Sequence, residues 1–597
     1  MHPSEQFYQE RINQFAGNLM ALERKSKKIS LTRLAVFVIS IVCVYYFAQN
    51  DGAVGIAVSV LTGIILFLVL VRIHSVTLEE KKLQEALLAV NSNEKSAFRG
   101  YYGGFYDGAA YNSPDHPYCH DIDLFGPGSL YQFLNRTASY SGREALARML
   151  KEPYLEKEEI IKMQDAVKEM APMLEWRHLF QAIGIAYKEG PGDRQKIEDW
   201  SLSKPLFGNR IFQALVVVVP LLTASMIALL STGIINVQAF LVYLTIPWGI
   251  SGSYARRVNN RHNKVSRTTE MLQKYAALLQ EIEQLDSSSE KIKDLQQKLG
   301  NGRVTAGRSI KSLSSILTAL DNRLNFMSWA LLNGLVLWDI LQMIRLERWQ
   351  KKHKAKVKHW FDVVAECDVI NGFANYLFNH PGTVFPEIGS GEFEIMARDA
   401  GHPLIQSDRR INNDIKIKQG EFLIVTGANM AGKSTYLRTI AVNLILAMCG
   451  APVCASRFRF VPVQVFTSIR TNDSLKENES YFYAELKRLK VIIDRLRDGE
   501  NLFIILDEIL KGTNSRDKHA GSEALLKQLI SFHATGVVAT HDVLLGKLSE
   551  TFPDNIRNHC FEVDIEGDRL QFDYRLRDGV SRNLNATLLM REMGITI

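Results

Sequence analysis

The stretch from Glu421 to Arg438 constrains this chain more than any other. It reads Glu-Phe-Leu-Ile-Val-Thr, an apolar strand-like run, and then Gly427-Ala428-Asn429-Met430-Ala431-Gly432-Lys433-Ser434-Thr435. Glycine, four residues and Gly-Lys-Ser is the spacing of a phosphate-binding loop. The glycines let successive backbone N–H groups curl around a phosphate, Lys433 reaches the terminal oxygens, and the Ser434 hydroxyl ligates Mg²⁺. A helix opening at this point directs its positive end at the same phosphates.

A second stretch, Asn501 to Glu508, reads Asn-Leu-Phe-Ile-Ile-Leu-Asp-Glu. A continuous apolar run of this length predicts a buried parallel strand. Its C-terminal tip carries Asp507, placed to hold Mg²⁺, and Glu508, placed to polarise an attacking water. Together the two stretches predict an α/β P-loop NTPase domain that binds ATP and Mg²⁺.

The segments Thr426–Arg438, Leu506-Asp-Glu-Ile-Leu-Lys-Gly-Thr513 and Ala539-Thr-His541 together resemble, in order and spacing, the ATPase domain of MutS proteins, the DNA mismatch-repair ATPases related to ABC transporters. Asn429-Met430 inside the loop is particular to that family. Asn472 to Glu485 looks like the family's signature segment. The resemblance implies a homodimer with composite sites in which Ser480 completes the partner's ATP site. It also implies that Gly512-Thr513-Asn514 lies at the subunit junction and that His541 senses the γ-phosphate. Lys433, Glu508 and His541 are the implied catalytic set. The chain departs from the family at Ala428 and Ala431, which replace Pro and Gly, and at Leu510-Lys511, which replaces Gly-Arg. The cradle glycines and Lys433 remain, so nucleotide binding is expected to survive.

Two pairs of apolar runs stand apart from this domain: Leu34–Ala48 with Ala53–Val71, and Ile211–Leu230 with Ile234–Tyr254. Each is near the length that crosses a bilayer, and each shows little polar stripe. Basic residues lie outside both hairpins: Arg24, Lys25, Lys27, Lys28, Arg33 and Arg72 at the first, Arg210, Arg256, Arg257 and Arg261 at the second. The positive-inside rule then puts both chain ends and the ATP site in the cytoplasm, on a multi-pass inner-membrane protein with four transmembrane helices. A fifth run, Phe326–Ile344, contains Asn333, Asp339 and Gln342. A mid-membrane Asp costs on the order of 3 kcal/mol, so this run reads as a buried soluble helix.

The boundaries follow. Residues 1–33 are a basic N-terminus, 34–72 the first transmembrane hairpin and 73–120 a linker, whose Gly- and Tyr-rich part from Phe98 to Tyr118 reads as a packed loop. Residues 121–210 and 256–380 form an all-α domain, interrupted by the second hairpin at 211–255, and 381–597 form the P-loop domain. Asp121 to Leu150 looks similar to the start of the MutS core, or lever, domain. Met271, Tyr275, Leu278, Ile282 and Leu285 make a heptad stripe that predicts helix-on-helix packing. Past His541 the chain reads as edge strands through Phe561–Tyr574 and a helix-like Asn585–Met593.

With 46% hydrophobic residues in 597, sizeable cores are within reach, and the net charge of +7 does not by itself argue for nucleic acid. The six cysteines have no Cys-x-x-Cys spacing, which indicates a reduced compartment. His116, Cys119 and His120 lack the second half of a metal site. Arg345, Arg348, Lys351, Lys352, Lys354, Lys356 and Lys358 form the densest positive cluster, suited to DNA phosphates or anionic headgroups. The wedge-bearing mismatch-reading domain of the family has no counterpart ahead of Asp121. Two functions fit: a membrane-anchored MutS-like ATPase coupled to duplex or structured DNA through 345–358, or an ATP-driven membrane scaffold or transport-like module without DNA.

Overall fold

The computed structural model describes residues 3–50, 52–265, 268–300, 305–321, 323, 325–470, 481–511, 513–566 and 569–582. Two long helices open it, α1 (Pro3–Gln49) and α2 (Ala53–Phe98). A helical body follows with α3 (Leu130–Leu134), α4 (Tyr140–Lys151), α5 (Lys157–Met170), α6 (Leu174–Ala186) and α7 (Asp193–Leu202). A second hairpin, α8 (Arg210–Ser231) and α9 (Val237–Val265), interrupts the body. It resumes with α10 (Thr269–Gln284), α11 (Glu290–Leu299), α12 (Ala306–Asp321), α13 (Phe326–Val336), α14 (Trp338–His353) and α15 (Val357–Asn379).

The remainder is mixed α/β: β1 (Glu387–Ile388), β2 (Glu394–Ala400), β3 (Asn413–Lys418), β4 (Phe422–Gly427), α16 (Lys433–Met448), β5 (Arg457–Phe460), β6 (Gln464–Ser468), α17 (Tyr481–Arg497), β7 (Leu502–Asp507), α18 (Ser515–Ser531), β8 (Thr535–Thr540), α19 (Leu548–Thr551), β9 (Ile556–Glu566) and β10 (Arg569–Asp578). One sheet has the order β1-β5-β2-β3 and the other β10-β9-β4-β8-β7-β6. In the larger sheet β9, β4, β8, β7 and β6 are parallel, and β10 closes one edge antiparallel to β9. Every residue of β4, β7 and β8 is buried, as strands covered on both faces require. The strands expected after His541 are present, but β9 is not an edge: it lies between β4 and β10. The helix expected at Asn585–Met593 lies outside the described residues.

The heptad stripe holds. Met271, Tyr275, Leu278 and Ile282 are fully buried on α10, which packs against α12. The loop from Phe98 to Tyr118 is packed too, with Tyr106 and Tyr111 set edge-on to Tyr131 and Phe125 respectively.

Among the described residues α1, α2 and α8 are long and apolar enough to cross a membrane. Phe37, Ile41, Leu61 and Ile65 on the first hairpin, and Val217 and Leu221 on α8, point outward. The expected fourth span differs. α9 begins at Val237, after Ile234, and its length carries Pro247, Trp248 and several Ser and Gly, so it falls short of the apolar content of a span. It still returns along α8, with the hydroxyls of Thr223 and Tyr243 2.7 Å apart.

The run Phe326–Ile344 is not one buried helix. It breaks at Leu337, which sits in the left-handed region (φ 49°), and α13 and α14 meet at 78°. α14 is largely buried, whereas α13 exposes Phe326, Met327 and Leu331. Asn333 and Asp339 explain the break. The Asn333 side-chain oxygen accepts from the Asp339 N–H (3.0 Å) and the Ser251 hydroxyl (3.1 Å), and Asp339 pairs with Arg323 at 2.9 Å.

α2 does not end where the linker was expected to begin, but runs on to Phe98 and docks against α6. A buried polar network fastens it there. The Glu94 carboxylate accepts from Arg136, from Asn375 (3.0 Å) and from Asn379 (3.2 Å), and the Tyr8 hydroxyl of α1 donates to Asn379 at 2.8 Å. These groups belong to four segments distant in sequence, so the network joins the first hairpin to α15.

Candidate nucleotide site

The loop between β4 and α16 is shaped by its two glycines. Gly427 has φ 151°, and a Cβ there would meet the Phe561 carbonyl oxygen at 2.7 Å; Gly432 has φ 108°. Neither place accepts a side chain without strain. Ala431 between them is buried, while Met430, at φ 64°, is 71% exposed at the loop tip.

Lys433 opens α16 and is buried. Its amine donates to the carbonyls of Gly427 (2.7 Å) and Ala428 (2.9 Å) and lies 3.4 Å from each ring nitrogen of His541. Loss of solvent lowers its pKa to about 8. The Ser434 hydroxyl donates to Asp507 at 2.6 Å, joining the helix start to the tip of β7.

Glu508 follows in the left-handed region at φ 53°, its N–H donating to the Ala539 carbonyl across to β8. This turns its side chain toward the tip of β8, where His541 Nε2 stands 2.7 Å from a Glu508 carboxylate oxygen. That hydrogen bond holds Glu508 well down, at about 2, against the opposing effect of burial. Lys433, Glu508 and His541 therefore form one chain of contacts, with Ser434 and Asp507 beside it.

A cavity of about 530 Å³ opens on this group, lined by Ala428, Asn429, Met430, Gly432, Lys433, Ser434, Thr435 and Glu508. Its other wall was not foreseen: Arg409, Ile411 and Asn413 from the approach to β3, and Phe561 and Tyr574 from β9 and β10. A register shift between Phe572 and Leu576, with Tyr574 at φ 54°, throws the Tyr574 ring toward Gly432. Asn413 pins this bulge by donating to the Tyr574 carbonyl and accepting from the Leu576 N–H. The sequence signal was the apolar alternation Leu570, Phe572, Tyr574, Leu576 in this strand.

Ser480 and Gly512 lie outside the described residues. Near them, buried Glu485 accepts from the N–H groups of Leu510 (2.6 Å) and Lys511 (3.3 Å), tying the start of α17 to the turn after Glu508. Asn514 caps α18 by accepting from the Asp517 N–H. Among the described residues no three His, Cys, Asp or Glu side chains, those of His116, Cys119 and His120 included, are grouped closely enough to share an ion. Burial pushes the Cys119 thiol up to about 12. All six cysteines are free.

Fold and site together define a mixed α/β domain organised on a glycine-rich loop between β4 and α16, with a carboxylate pair at the tip of β7, two strands away in the sheet. Residues 423–588 match the family described as MutS domain V, and through this domain the chain is related to the MutS family. It is 32% identical over 231 residues to the DNA mismatch repair protein MSH4 of Arabidopsis thaliana, covering 38% of this chain and 29% of that protein. It is 31% identical over 245 residues to MutS protein homolog 4 of Homo sapiens (39% and 25%), and 32% identical over 234 residues to the DNA mismatch repair protein MutS of Aquifex pyrophilus (38% and 27%). The chain thus spans less than a third of the length of these relatives.

Proposed function

We propose that this chain is a membrane-anchored, Mg²⁺-dependent ATPase that works as a homodimer with its nucleotide sites in the cytoplasm. The observation that carries the reading is the single constellation of Lys433, Ser434, Asp507, Glu508 and His541. The donor set fits the cofactors. A hydroxyl and a carboxylate oxygen 2.6 Å apart are hard ligands suited to Mg²⁺. The Lys433 amine, on carbonyls alone apart from His541, is the cation a polyphosphate would draw forward. When bound, Mg²⁺ would neutralise phosphate charge. Glu508, kept ionised by His541, would orient and deprotonate the attacking water, and the loop N–H groups would hold the phosphates.

DNA is the proposed coupled ligand, on the strength of the relatives' names. Its contact surface would be the cluster from Arg345 to Lys358. All seven cations are exposed, and none forms an ion pair among the described residues. The second reading, an ATP-driven membrane scaffold, is favoured by the Glu94 network, which would pass motion of α15 directly to the first hairpin. One experiment tests both: ATP turnover by the detergent-solubilised chain, alone and with homoduplex, mismatched and branched DNA. Turnover abolished by Lys433→Ala and raised by DNA supports the first reading, and turnover indifferent to DNA but raised by lipid supports the second. Absence of turnover, or full turnover in Lys433→Ala, overturns the assignment.

A further inference from the structure

α13 presents an uncharged apolar face that none of the described residues covers. Its sequence, Phe326-Met-Ser-Trp-Ala-Leu-Leu-Asn-Gly-Leu-Val336, has no acid or base, and Phe326, Met327 and Leu331 are 77%, 80% and 62% exposed. In a helix that belonged wholly to the soluble body these residues would face inward.

Its neighbours show what covers it. α13 lies along α9: the Trp248 indole donates to the Ala330 carbonyl at 2.7 Å, Ser251 bonds to Asn333, and Gly334 sits where a Cβ would meet Trp248 and Leu244. That part of α9 is the apolar length of the hairpin, bearing outward Leu241, Val242 and Ile246. Exposed Arg256 and Arg257 follow only after Tyr254. α13 therefore packs on the part of α9 that precedes these cations, and both helices carry exposed apolar side chains.

Both of its ends carry polar caps. At the start, Asn325 accepts from the N–H groups of Met327 (2.9 Å) and Ser328 (3.3 Å). At the far end the Asn333 carbonyl accepts from Leu337 N–H, and its side chain is taken by Asp339 and Ser251. The helix is too short to cross. Eleven residues at 1.5 Å each reach about 16 Å, half of a hydrocarbon core of about 30 Å. The 78° bend then carries the chain into α14, whose buried Asp339, Met343 and Trp349 belong to the soluble body.

We infer that α13 is a re-entrant wedge that enters the cytoplasmic leaflet beside α8 and α9 and engages lipid acyl chains through Phe326, Met327 and Leu331. This rests on the reading that the second hairpin is in the membrane, and the test separates the two. In the full chain with Cys43→Ser, which leaves only buried cysteines, an environment-sensitive fluorophore is attached at Leu331→Cys or, as control, at Leu221→Cys on α8. The protein is reconstituted in phosphatidylcholine–phosphatidylglycerol vesicles. The expected result is a blue-shifted emission at both positions, quenched by brominated acyl chains and protected from aqueous iodide. Iodide quenching at 331 with lipid quenching at 221 overturns the wedge and leaves the anchor standing. Iodide quenching at both overturns the membrane placement of the second hairpin and the wedge with it. Protection of 331 from both quenchers shows protein on that face and also overturns the wedge.

Discussion

At the scale of single residues, contacts within the candidate site set the charge of its side chains. His541 holds Glu508 at about 2, so the carboxylate is ionised across the physiological range, and burial prepares Lys433 to gain from a phosphate partner. Glu508→Gln is expected to keep nucleotide affinity and lower turnover by about 10²–10⁴-fold, the usual worth of a positioned general base. His541→Ala should also keep affinity, because the cradle N–H groups and Lys433 are untouched, while turnover falls by a smaller factor as Glu508 loses its orienting hydrogen bond. Equilibrium binding of a fluorescent nucleotide beside steady-state hydrolysis checks both, and a loss of affinity matching the loss of rate would contradict the roles given. Gly427, Lys433, Ser434, Asp507 and Glu508 were legible in the sequence because each is demanded locally, by a turn or a strand tip. Ile411 and Tyr574 were not, since Ile411 reaches the cavity from the loop before β3 and Tyr574 from a bulge in β10 that no local pattern announces.

At the scale of elements, the joint between α1, α2 and α15 is the one most exposed to mutation. Glu94→Ala would leave the Arg136 guanidinium buried without its carboxylate, a defect that costs about 3–5 kcal/mol. The expected outcome is a lowered melting temperature of the detergent-solubilised protein and early proteolysis within α2, with Glu94→Gln milder. His178 lies in the same joint, fully buried, stacked 5.9 Å from Tyr8, with neither ring nitrogen hydrogen-bonded among the described residues. Burial first, and then Arg177 and Arg11, depress it to about 3. A depressed histidine keeps the fold at full stability above its unfolded value of about 6.5 and weakens it as pH falls toward 3. At pH 5 the loss is about 2 kcal/mol. His178→Phe, which keeps a ring among Phe7, Tyr8 and Phe378, should flatten that part of the melting curve's pH dependence between 7 and 5, and an unchanged slope would refute the assignment. Apolar length revealed both hairpins to sequence reading. It did not reveal the α13–α14 elbow, because a leucine in the left-handed region leaves no mark of the kind Gly or Pro would; Asn333 and Asp339, polar groups inside an apolar run, were the available sign.

At the scale of the whole molecule, the candidate site and the helical body are joined through Asp121. Its buried carboxylate accepts from the Thr467 hydroxyl (2.6 Å) and the N–H groups of Ile469 and Arg470 (both 3.1 Å), and it faces Arg488 of α17 at 3.3 Å. These contacts clamp the end of β6 and the shaft of α17, the two described segments that flank Asn472–Ser480, to the start of the helical body. On the proposed dimer reading, engagement of Ser480 by a second copy would be passed to the helical body. A composite site, as the family resemblance implies, has a testable consequence. Lys433→Ala destroys a chain's own phosphate loop but leaves its Ser480 intact, and Ser480→Arg does the reverse. Each variant alone is expected to be inactive. If the sites are composite, a mixed dimer holds one site with an intact loop from one chain and an intact serine from the other. An equal mixture, co-expressed so that half the dimers are mixed, should then recover about a quarter of wild-type turnover. If each chain completes its own site, every site in the mixture still carries a defect and turnover stays at the level of the single variants, which would overturn the composite dimer while leaving Lys433, Asp507 and Glu508 in their roles.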